Sequence, residues 1–527
     1  MKKVKLLMGL FVVASSTIVA QTLNDAIKLT TNEQYGLADA AFVKLIQTQP
    51  NSGEYYFFYG ENLFKNDEID LANAMYQKGS DVNPTNPISY VGLGKVQWYK
   101  GQSADAKANF FKATTLAAGK NATVLMKIAE AYTNAPTKNL VDAFTLLAQA
   151  AKLEPKNAEI YILTGDAYLE QNDATKAIEN YEKAGLLDPK SPRALLKQGQ
   201  VWNRARNFPL AIEIYKKARL IDSTFAPAYR ELAEIYLRAS QFANAAYNAK
   251  RYLQLNNDCS AKSQYSGILN QAKQYKESVD AGKEALLCTP INFYTYRYLA
   301  YSQFEIADYP GGLENMNNFF TKAPPEKIIV QDYEYRAKLL SKTGKDSLAI
   351  LDYKKALELQ PEKVEYNGDI ANAYIKMKKY PEAIAAYKMK MDKGKANAND
   401  YYGLTRAYYY SKDFINADSS AVLIIKAQPE LALGYMWRAK ANSQLDPKNE
   451  KWLAKPYYEL FISKVKPEDT EKSKKDLIEA YTYVGVYYMN NKNVCEAKTY
   501  FKKIAELDAT SANAKKFLES AEAKKCP

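Results

Sequence analysis

The sequence of 527 residues contains no histidine and only four cysteines. Without histidine, the chain lacks the side chain that most often serves as a general base, a metal ligand or a pH switch near neutrality. The four cysteines have no close pairwise spacing, so they do not form the pattern of a zinc site. We therefore expect no metal and no cofactor. Because no cysteine precedes Cys259, a lipid anchor on an N-terminal cysteine is also excluded.

Long apolar runs are scarce as well. One run, residues 6–14, follows Lys2, Lys3 and Lys5 and precedes small residues that end at Ala20. This run is shorter than the roughly 20 residues that span a bilayer, whereas its flanks are typical of a secretory signal peptide. We therefore predict that residues 1–20 are removed and that an exported chain without a transmembrane segment begins near Gln21. An uncleaved signal anchor is the alternative.

The charge is distributed unevenly along the chain. Residues 21–200 contain 18 basic and 20 acidic residues, whereas residues 201–527 contain 51 basic and 39 acidic residues. The basic residues are scattered rather than clustered, so we expect no nucleic-acid partner. An acidic protein, an anionic glycan or an anionic lipid headgroup fits this charge better. Solvated helix faces are the alternative explanation.

A pattern of small and aromatic residues recurs every 34 residues. The clearest copy is Gly165, Tyr168, Ala177, Tyr181, Ala184 and Pro189, and others include Gly60, Ala72 and Tyr76, then Gly199, Ala211 and Tyr215. This pattern resembles the tetratricopeptide repeat (TPR) family over residues 22–510. The resemblance implies an all-α TPR solenoid, a right-handed superhelix of helical hairpins that ends in a C-terminal capping helix. The length predicts roughly 14 repeats.

The repeats also predict the organisation of the chain. We expect a signal peptide at 1–20, an N-terminal repeat array at 21–260, a C-terminal array at 261–510 and a capping helix at 511–527. The copy near residues 264–287 is the weakest, because Ser278 and Gly282 occupy positions where alanine and an aromatic residue are expected. Most tyrosines are predicted to pack between helices.

No catalytic motif is present, and every segment is already assigned to a repeat, so we predict that the protein is not an enzyme. The resemblance implies that the first helix of each repeat lines a binding groove. Positions three before, one after and four after the small residue then give the candidate partner-binding residues, which are Phe57, Phe64, Trp98, Arg297, Tyr301, Phe304, Tyr402, Arg406 and Tyr409. Tyrosine, tryptophan and arginine are enriched at binding hot spots. Packing against the adjacent hairpin is the alternative role for these residues.

Together these features predict a non-enzymatic adaptor or scaffold in a Gram-negative periplasm, peripheral to the outer membrane or free of it. Its partners would be one or more envelope proteins within an assembly, secretion or motility complex. The alternative function is a glycan-associated or cell-wall-associated structural protein that uses the basic residues of 201–527.

The cysteines are predicted to form two disulfides, because export leads to an oxidising compartment. Cys259 and Cys288 lie at the two ends of one predicted hairpin, which antiparallel helices bring together. Cys495 begins the second helix of the final repeat, and Cys526 follows the capping helix that runs back along it. The crossed pairings would span several repeats, far beyond the roughly 7 Å between Cα atoms that a disulfide allows. Four buried thiols are the alternative.

Overall fold

The structure, a computed structural model, describes residues 22–256 and 259–526. The predicted signal peptide at 1–20 lies outside these residues. Within them all regular secondary structure is helical, with 30 α-helices, two short 3-10 helices and no strand. The chain divides into two compact units, one up to Leu299 and one from Ala300. The predicted boundary between two arrays at residue 260 falls inside a helix, and the unit boundary lies about one hairpin later.

In the first unit the helices pair in chain order as hairpins, each packing on the next. The bounds are α1 Leu23–Thr31, α2 Tyr35–Thr48, α3 Gly53–Lys65, α4 Ile69–Val82, α5 Pro87–Tyr99, α6 Ser103–Leu116, α7 Ala122–Asn134, α8 Leu140–Leu153, α9 Ala158–Glu170, α10 Ala174–Leu187, α11 Arg193–Arg204, α12 Phe208–Ile221, α13 Ala226–Arg238, α14 Phe242–Asn256, α15 Cys259–Gln271 and α16 Tyr275–Ala285.

The unit boundary lies within α17, Tyr294–Glu305, and the second unit continues the same arrangement. Its further helices are α18 Tyr309–Lys322, α19 Val330–Lys342, α20 Asp346–Leu359, α21 Tyr366–Lys376, α22 Tyr380–Asp392, α23 Ala398–Tyr410, α24 Phe414–Ala427, α25 Ala432–Leu445, α26 Lys455–Lys464, α27 Lys474–Asn490, α28 Val494–Leu507, α29 Ala512–Leu518 and α30 Ala521–Lys524. The 3-10 helices are Pro325–Lys327 and Pro467–Asp469. The described residues therefore form 14 hairpins and an end piece, as the repeat length predicts.

The small residue of each repeat makes room for an aromatic ring. A Cβ atom on Gly165 would overlap the ring of Tyr181, and Gly60 and Gly199 stand in the same relation to tyrosines one helix later. Tyr181 itself is fully buried. The glycine of the first helix and the tyrosine of the second are thus one packing unit, which explains why they recur together.

The tyrosine hydroxyl groups add a polar bond that the packing argument did not predict. The buried ring on the second helix donates its hydroxyl to a polar side chain, as in Tyr181 to Asp166 at 2.7 Å and Tyr387 to Asn372 at 2.8 Å. A second set lies on first helices and donates to the carbonyl six residues earlier, as in Tyr161 to Pro155 at 2.9 Å. Because a buried hydroxyl needs a partner, these bonds explain the preference for tyrosine over phenylalanine.

Helix ends follow from local side chains. Asp173 accepts the backbone N–H of Lys176 and Asn157 accepts that of Glu159, so each begins its helix as an N-cap. The turn inside a hairpin places one residue in the left-handed region, as in Asp67 at φ 65° and Gly101 at φ 78°. Such a residue ends the first helix and reverses the chain toward the second.

Departures from the repeat occur at three places. The turns at residues 135–139 and 446–454 are longer than the other turns within hairpins. In the weakest copy, Ser266 and Ser278 each donate a hydroxyl to the other's backbone carbonyl, at 2.9 and 2.8 Å, and hold α15 against α16. The prediction of a single capping helix is wrong in one respect: two short helices, α29 and α30, replace it, because Ser520 accepts the N–H of Ala523 and starts a new helix.

Candidate functional site

Three of the nine candidate binding residues are buried. Phe57 is fully covered, and Trp98 and Tyr301 are only 6% and 4% exposed. Trp98 donates its ring N–H to the Thr137 carbonyl at 2.8 Å, and the Tyr301 hydroxyl donates to Asp332 at 2.7 Å. The expectation that these side chains are exposed groove residues is therefore wrong, because the next hairpin contacts Trp98 and Tyr301, and the Tyr76 ring of its own hairpin packs near Phe57. In the described structure these three side chains are part of the packing between helices.

Phe64, Arg297 and Phe304 are half-buried and lie in separate environments. The Lys95 ammonium lies 4.3 Å from the centre of the Phe64 ring, and the Arg297 guanidinium lies 5.2 Å from that of Tyr294. Phe304 packs edge-on against Tyr335, with 5.5 Å between the ring centres. Each therefore has an intramolecular aromatic or cationic contact.

The remaining candidates come together on α23 and α25 of the second unit. We call Tyr402, Arg406, Tyr409, Tyr410 and Trp437 the Arg406 patch. Trp437 lies 5.9 Å from Tyr402 and 5.4 Å from Tyr409, measured between ring centres, with the rings edge-on. The Arg406 guanidinium lies 5.4 Å from the Tyr402 ring and 6.0 Å from that of Tyr410. Two rings thus flank one cation, an arrangement that favours cation–π contact.

Among the described residues Arg406 contacts the two tyrosine rings and makes no hydrogen bond or ion pair. Arginines of comparable burial do bind carboxylates: Arg336 pairs with Asp352 at 2.6 Å and Arg438 with Asp418 at 2.8 Å. A half-buried guanidinium without an acceptor retains five donors for an outside group. The Arg406 patch can therefore receive a carboxylate.

Arg406 belongs to a row of residues 34 positions apart on consecutive first helices, Lys338, Asn372, Arg406 and Lys440. The other members are engaged: Lys338 binds Glu334, Asn372 accepts the Tyr387 hydroxyl, and Lys440 binds Asp476 at 2.8 Å. Although burial opposes it, the Asp476 and Glu479 carboxylates raise the pKa of Lys440. Burial and the nearby Glu479 carboxylate likewise raise the pKa of Tyr409. Both groups therefore keep their protons at neutral pH.

The equivalent row in the first unit is neutralised internally. Glu61 accepts from the Tyr76 hydroxyl and from Lys95, both at 2.7 Å, and Lys127 lies 3.4 Å from its other oxygen. Lys127 also binds Glu130 at 2.6 Å. Burial alone would raise the pKa of Glu61, but Lys95 and Lys127 overcome this and hold the pKa below its ordinary value. These charges satisfy one another and stabilise neighbouring helices.

Sequence reasoning did not find two members of the Arg406 patch. Tyr410 lies five residues after Thr405 and Trp437 two before Ala439, which are the small-residue positions of their repeats. The search covered only offsets of minus three, plus one and plus four. A search for aromatic residues three or four positions from the basic residue that follows the small residue, Arg406 or Lys440, would have included both.

The structure joins Cys259 to Cys288 and Cys495 to Cys526, with 5.7 and 5.1 Å between Cα atoms. These are the pairs that the sequence predicts. The first joins the start of α15 to the end of its own hairpin. The second joins α28 to the residue that follows α30, so the end piece is covalently tied to the last hairpin.

A family model described as tetratricopeptide repeat matches residues 139–190 and 162–227. Among solved structures, the C-terminal part of a TPR repeat-containing protein from Cytophaga hutchinsonii is 31% identical. That match covers 49% of this chain and 100% of the other, with a TM-score of 0.46. The chain belongs to the TPR family.

More distant likeness extends to PilF from Pseudomonas aeruginosa and to Tom70 from yeast. PilF is 17% identical, and the match covers 39% of this chain and 91% of PilF, with a TM-score of 0.28. Tom70 is 14% identical, and the match covers 78% of this chain and 97% of the Tom70 chain, also with a TM-score of 0.28. No curated protein matches the chain. The match to TPR repeats indicates a scaffold for protein–protein interactions. It does not indicate any enzymatic family. Among the described residues, no helix has both the length and the apolar character needed to cross a membrane.

Proposed function

We propose that this TPR protein is an exported adaptor that holds an envelope protein through the Arg406 patch in a Gram-negative periplasm. Its setting would be an envelope assembly, secretion or motility complex. The observation that carries the proposal is the unpaired Arg406 guanidinium between two tyrosine rings. The signal-peptide pattern at residues 1–20 and the two cysteine pairs support export, because disulfides persist in oxidising compartments.

The chemistry of the patch suggests what the partner presents. A carboxylate would accept paired hydrogen bonds from Arg406, and an apolar or aromatic side chain would pack on Tyr409 and Tyr410, which are partly or well exposed. Such anchors concentrate binding energy in a few residues, while the surrounding helices exclude water. We therefore expect the partner to offer an acidic residue next to a large apolar one.

Site-specific photo-crosslinking in intact envelopes tests this function. A benzophenone amino acid replaces Tyr409, and a second protein carries it instead at Leu220, which is 82% exposed in the first unit. We expect one defined protein adduct from the Tyr409 position and none of that mass from Leu220. Arg406→Ala should abolish the adduct, whereas Arg251→Ala, which removes a half-buried arginine bonded only to Gln254, should leave it unchanged. An adduct that persists without Arg406 would contradict the proposal.

Two further measurements address export and the alternative function. Mass spectrometry of the protein from a periplasmic fraction should give an N-terminus near Gln21. Sedimentation of the protein with purified cell wall would instead favour a glycan-associated structural protein. Because residues 201–527 are basic, such binding should rest on charge attraction, and high salt should release the protein.

A further inference from the structure

The first hairpin of the first unit contacts the sixth and seventh hairpins, which lie about 190–220 residues later in the chain. The Lys28 ammonium lies 3.2 Å from the Asp222 carboxylate. Asn32 donates to the side chains of Asp222 and Thr224, at 3.4 and 3.3 Å, and Gln34 donates to the Leu255 carbonyl at 3.4 Å. In a repeat array each hairpin normally touches only its neighbours. These contacts therefore require that the first seven hairpins curve back onto their own start.

The strongest of these contacts joins Glu33 to Arg230. The guanidinium donates two parallel hydrogen bonds to the two carboxylate oxygens, at 3.2 and 3.1 Å. This bidentate geometry is the most specific form of an arginine–carboxylate pair. Burial opposes the charge on Arg230, but Glu33 and Glu231 raise its pKa, so the guanidinium keeps its charge throughout the neutral range.

Glu33 occupies a position that is exposed in other hairpins. Its φ of 56° places it at the left-handed turn residue, like Asp67, Asn172, Arg206 and Lys412. All four of those residues are exposed, whereas Glu33 is partly covered and its neighbours Asn32 and Gln34 are buried. The turn of the first hairpin is thus covered by distant helices, not by its own repeat.

We propose that the end of α1 and the turn that follows it, residues 28–34, form a latch that holds the first seven hairpins in a closed turn. The contact between Glu61 on α3 and Lys127 on α7 belongs to the same closed state, because it reaches across the intervening hairpin at 3.4 Å. Release of the latch relaxes the curvature and opens the inner face of this turn to a partner. The proposal does not depend on the Arg406 patch.

Distance measurements with spin labels on the full chain test the latch. Lys44→Cys on α2 and Lys216→Cys on α12 place labels on exposed positions, and the cysteines among the described residues are all paired with one another. The otherwise unchanged chain should give one short, narrow distance distribution. Arg230→Glu should lengthen and broaden it. The exchange rate of backbone amides at residues 29–38 should also rise at least about tenfold.

Two companion variants separate latch release from misfolding. The charge swap Glu33→Arg with Arg230→Glu rebuilds the pair and should restore the short distance. Arg238→Glu, on the same helix but bonded only to Asn203 and Glu234, should leave the distance unchanged. An unaltered distance distribution in Arg230→Glu would overturn the proposal. A double variant that does not recover the short distance would also overturn it, provided that the amides of α7 and α8 exchange as slowly as in the unchanged protein.

Discussion

Replacing Glu61 with glutamine tests how much a buried charge network stabilises the first unit. The Glu61 side chain is only 4% exposed and that of Lys95 9%, with 2.7 Å between their charged atoms. Glutamine preserves the size of the side chain and an acceptor for Tyr76, but it removes the negative charge. Lys95 is then left buried without its counter-ion, whereas Lys127 retains Glu130.

Removing one partner of a buried ion pair usually costs about 3–5 kcal/mol. Because Lys127 keeps Glu130 as a partner and only Lys95 loses its counter-ion, we expect the lower end of this range, about 3 kcal/mol, at neutral pH. A repeat array does not unfold in two states, so one global free energy of unfolding is not defined. Native-state hydrogen exchange is the appropriate measurement, and amides of α3 and α5 should exchange about 100-fold faster.

The contribution of Glu61 to stability should depend on pH in a defined direction. The pKa of Glu61 is held below its ordinary value in the folded chain, so the unfolded chain binds more protons as the pH falls. The stabilisation is present above the ordinary glutamate pKa of about 4.3 and is lost as the pH falls through the lower folded-state pKa. Glu61→Gln should therefore reduce the acid sensitivity of α3 and α5.

Glu213→Gln is the matched control, because Glu213 pairs with Lys217 on an exposed helix face, where both side chains are more than half exposed. Its exchange rates should match those of the unchanged protein, since exposed pairs contribute little. If Glu61→Gln exchanges no faster than the control at neutral pH, the inference that this network stabilises the first unit is refuted.

Three further predictions concern packing, the polar bonds of the tyrosines and the disulfides. Tyr181→Phe removes the hydrogen bond from the hydroxyl to Asp166 and should destabilise the α9–α10 hairpin by about 1 kcal/mol, measured by hydrogen exchange. Unchanged exchange rates would show that only the ring contributes to stability. Tyr301→Ala should raise amide exchange in α19, whose Tyr335 stacks on Tyr301, far more than Tyr409→Ala raises it in α25, since only Tyr301 is buried; the reverse order would contradict its packing role. Non-reducing peptide mapping should recover Cys259–Cys288 and Cys495–Cys526, and Cys495→Ser should raise exchange in α29 because the end piece loses its tie; a Cys259–Cys495 link would contradict the pairing.

The hairpins are predictable from sequence because their determinants are local. Gly165 and Tyr181 belong to the same hairpin and contact each other directly, so a fixed spacing in sequence corresponds to a fixed contact in space. The cysteine pairs are predictable for the same reason, since each joins neighbouring elements. The break between α29 and α30 was missed because one serine cap decides it.

The exposure of the groove positions could not be predicted, because it depends on side chains of other helices in the same hairpin and in the next one. Phe57 and Tyr402 both lie three before the small residue, and Tyr301 and Arg406 both lie one after it, yet in each pair only the second residue is partly exposed. The Tyr335 ring stacks on Tyr301 at 4.1 Å between centres, and the Tyr76 ring lies 5.6 Å from Phe57. The latch could not be predicted from the sequence either, because it depends on curvature that accumulates over seven hairpins.

Net charge also misdirects a search for the binding site. The excess of basic residues after residue 200 suggests an extended anionic surface, but many of those residues pair with carboxylates, as Lys440 does. The position after the small residue shows what matters instead. Glu61 and Lys95 occupy it in adjacent repeats and neutralise each other, whereas Arg406 occupies it with no acceptor in reach. The unpaired charge, rather than the number of charges, therefore determines where a partner can gain binding energy, and identifying it requires the side-chain geometry of neighbouring hairpins.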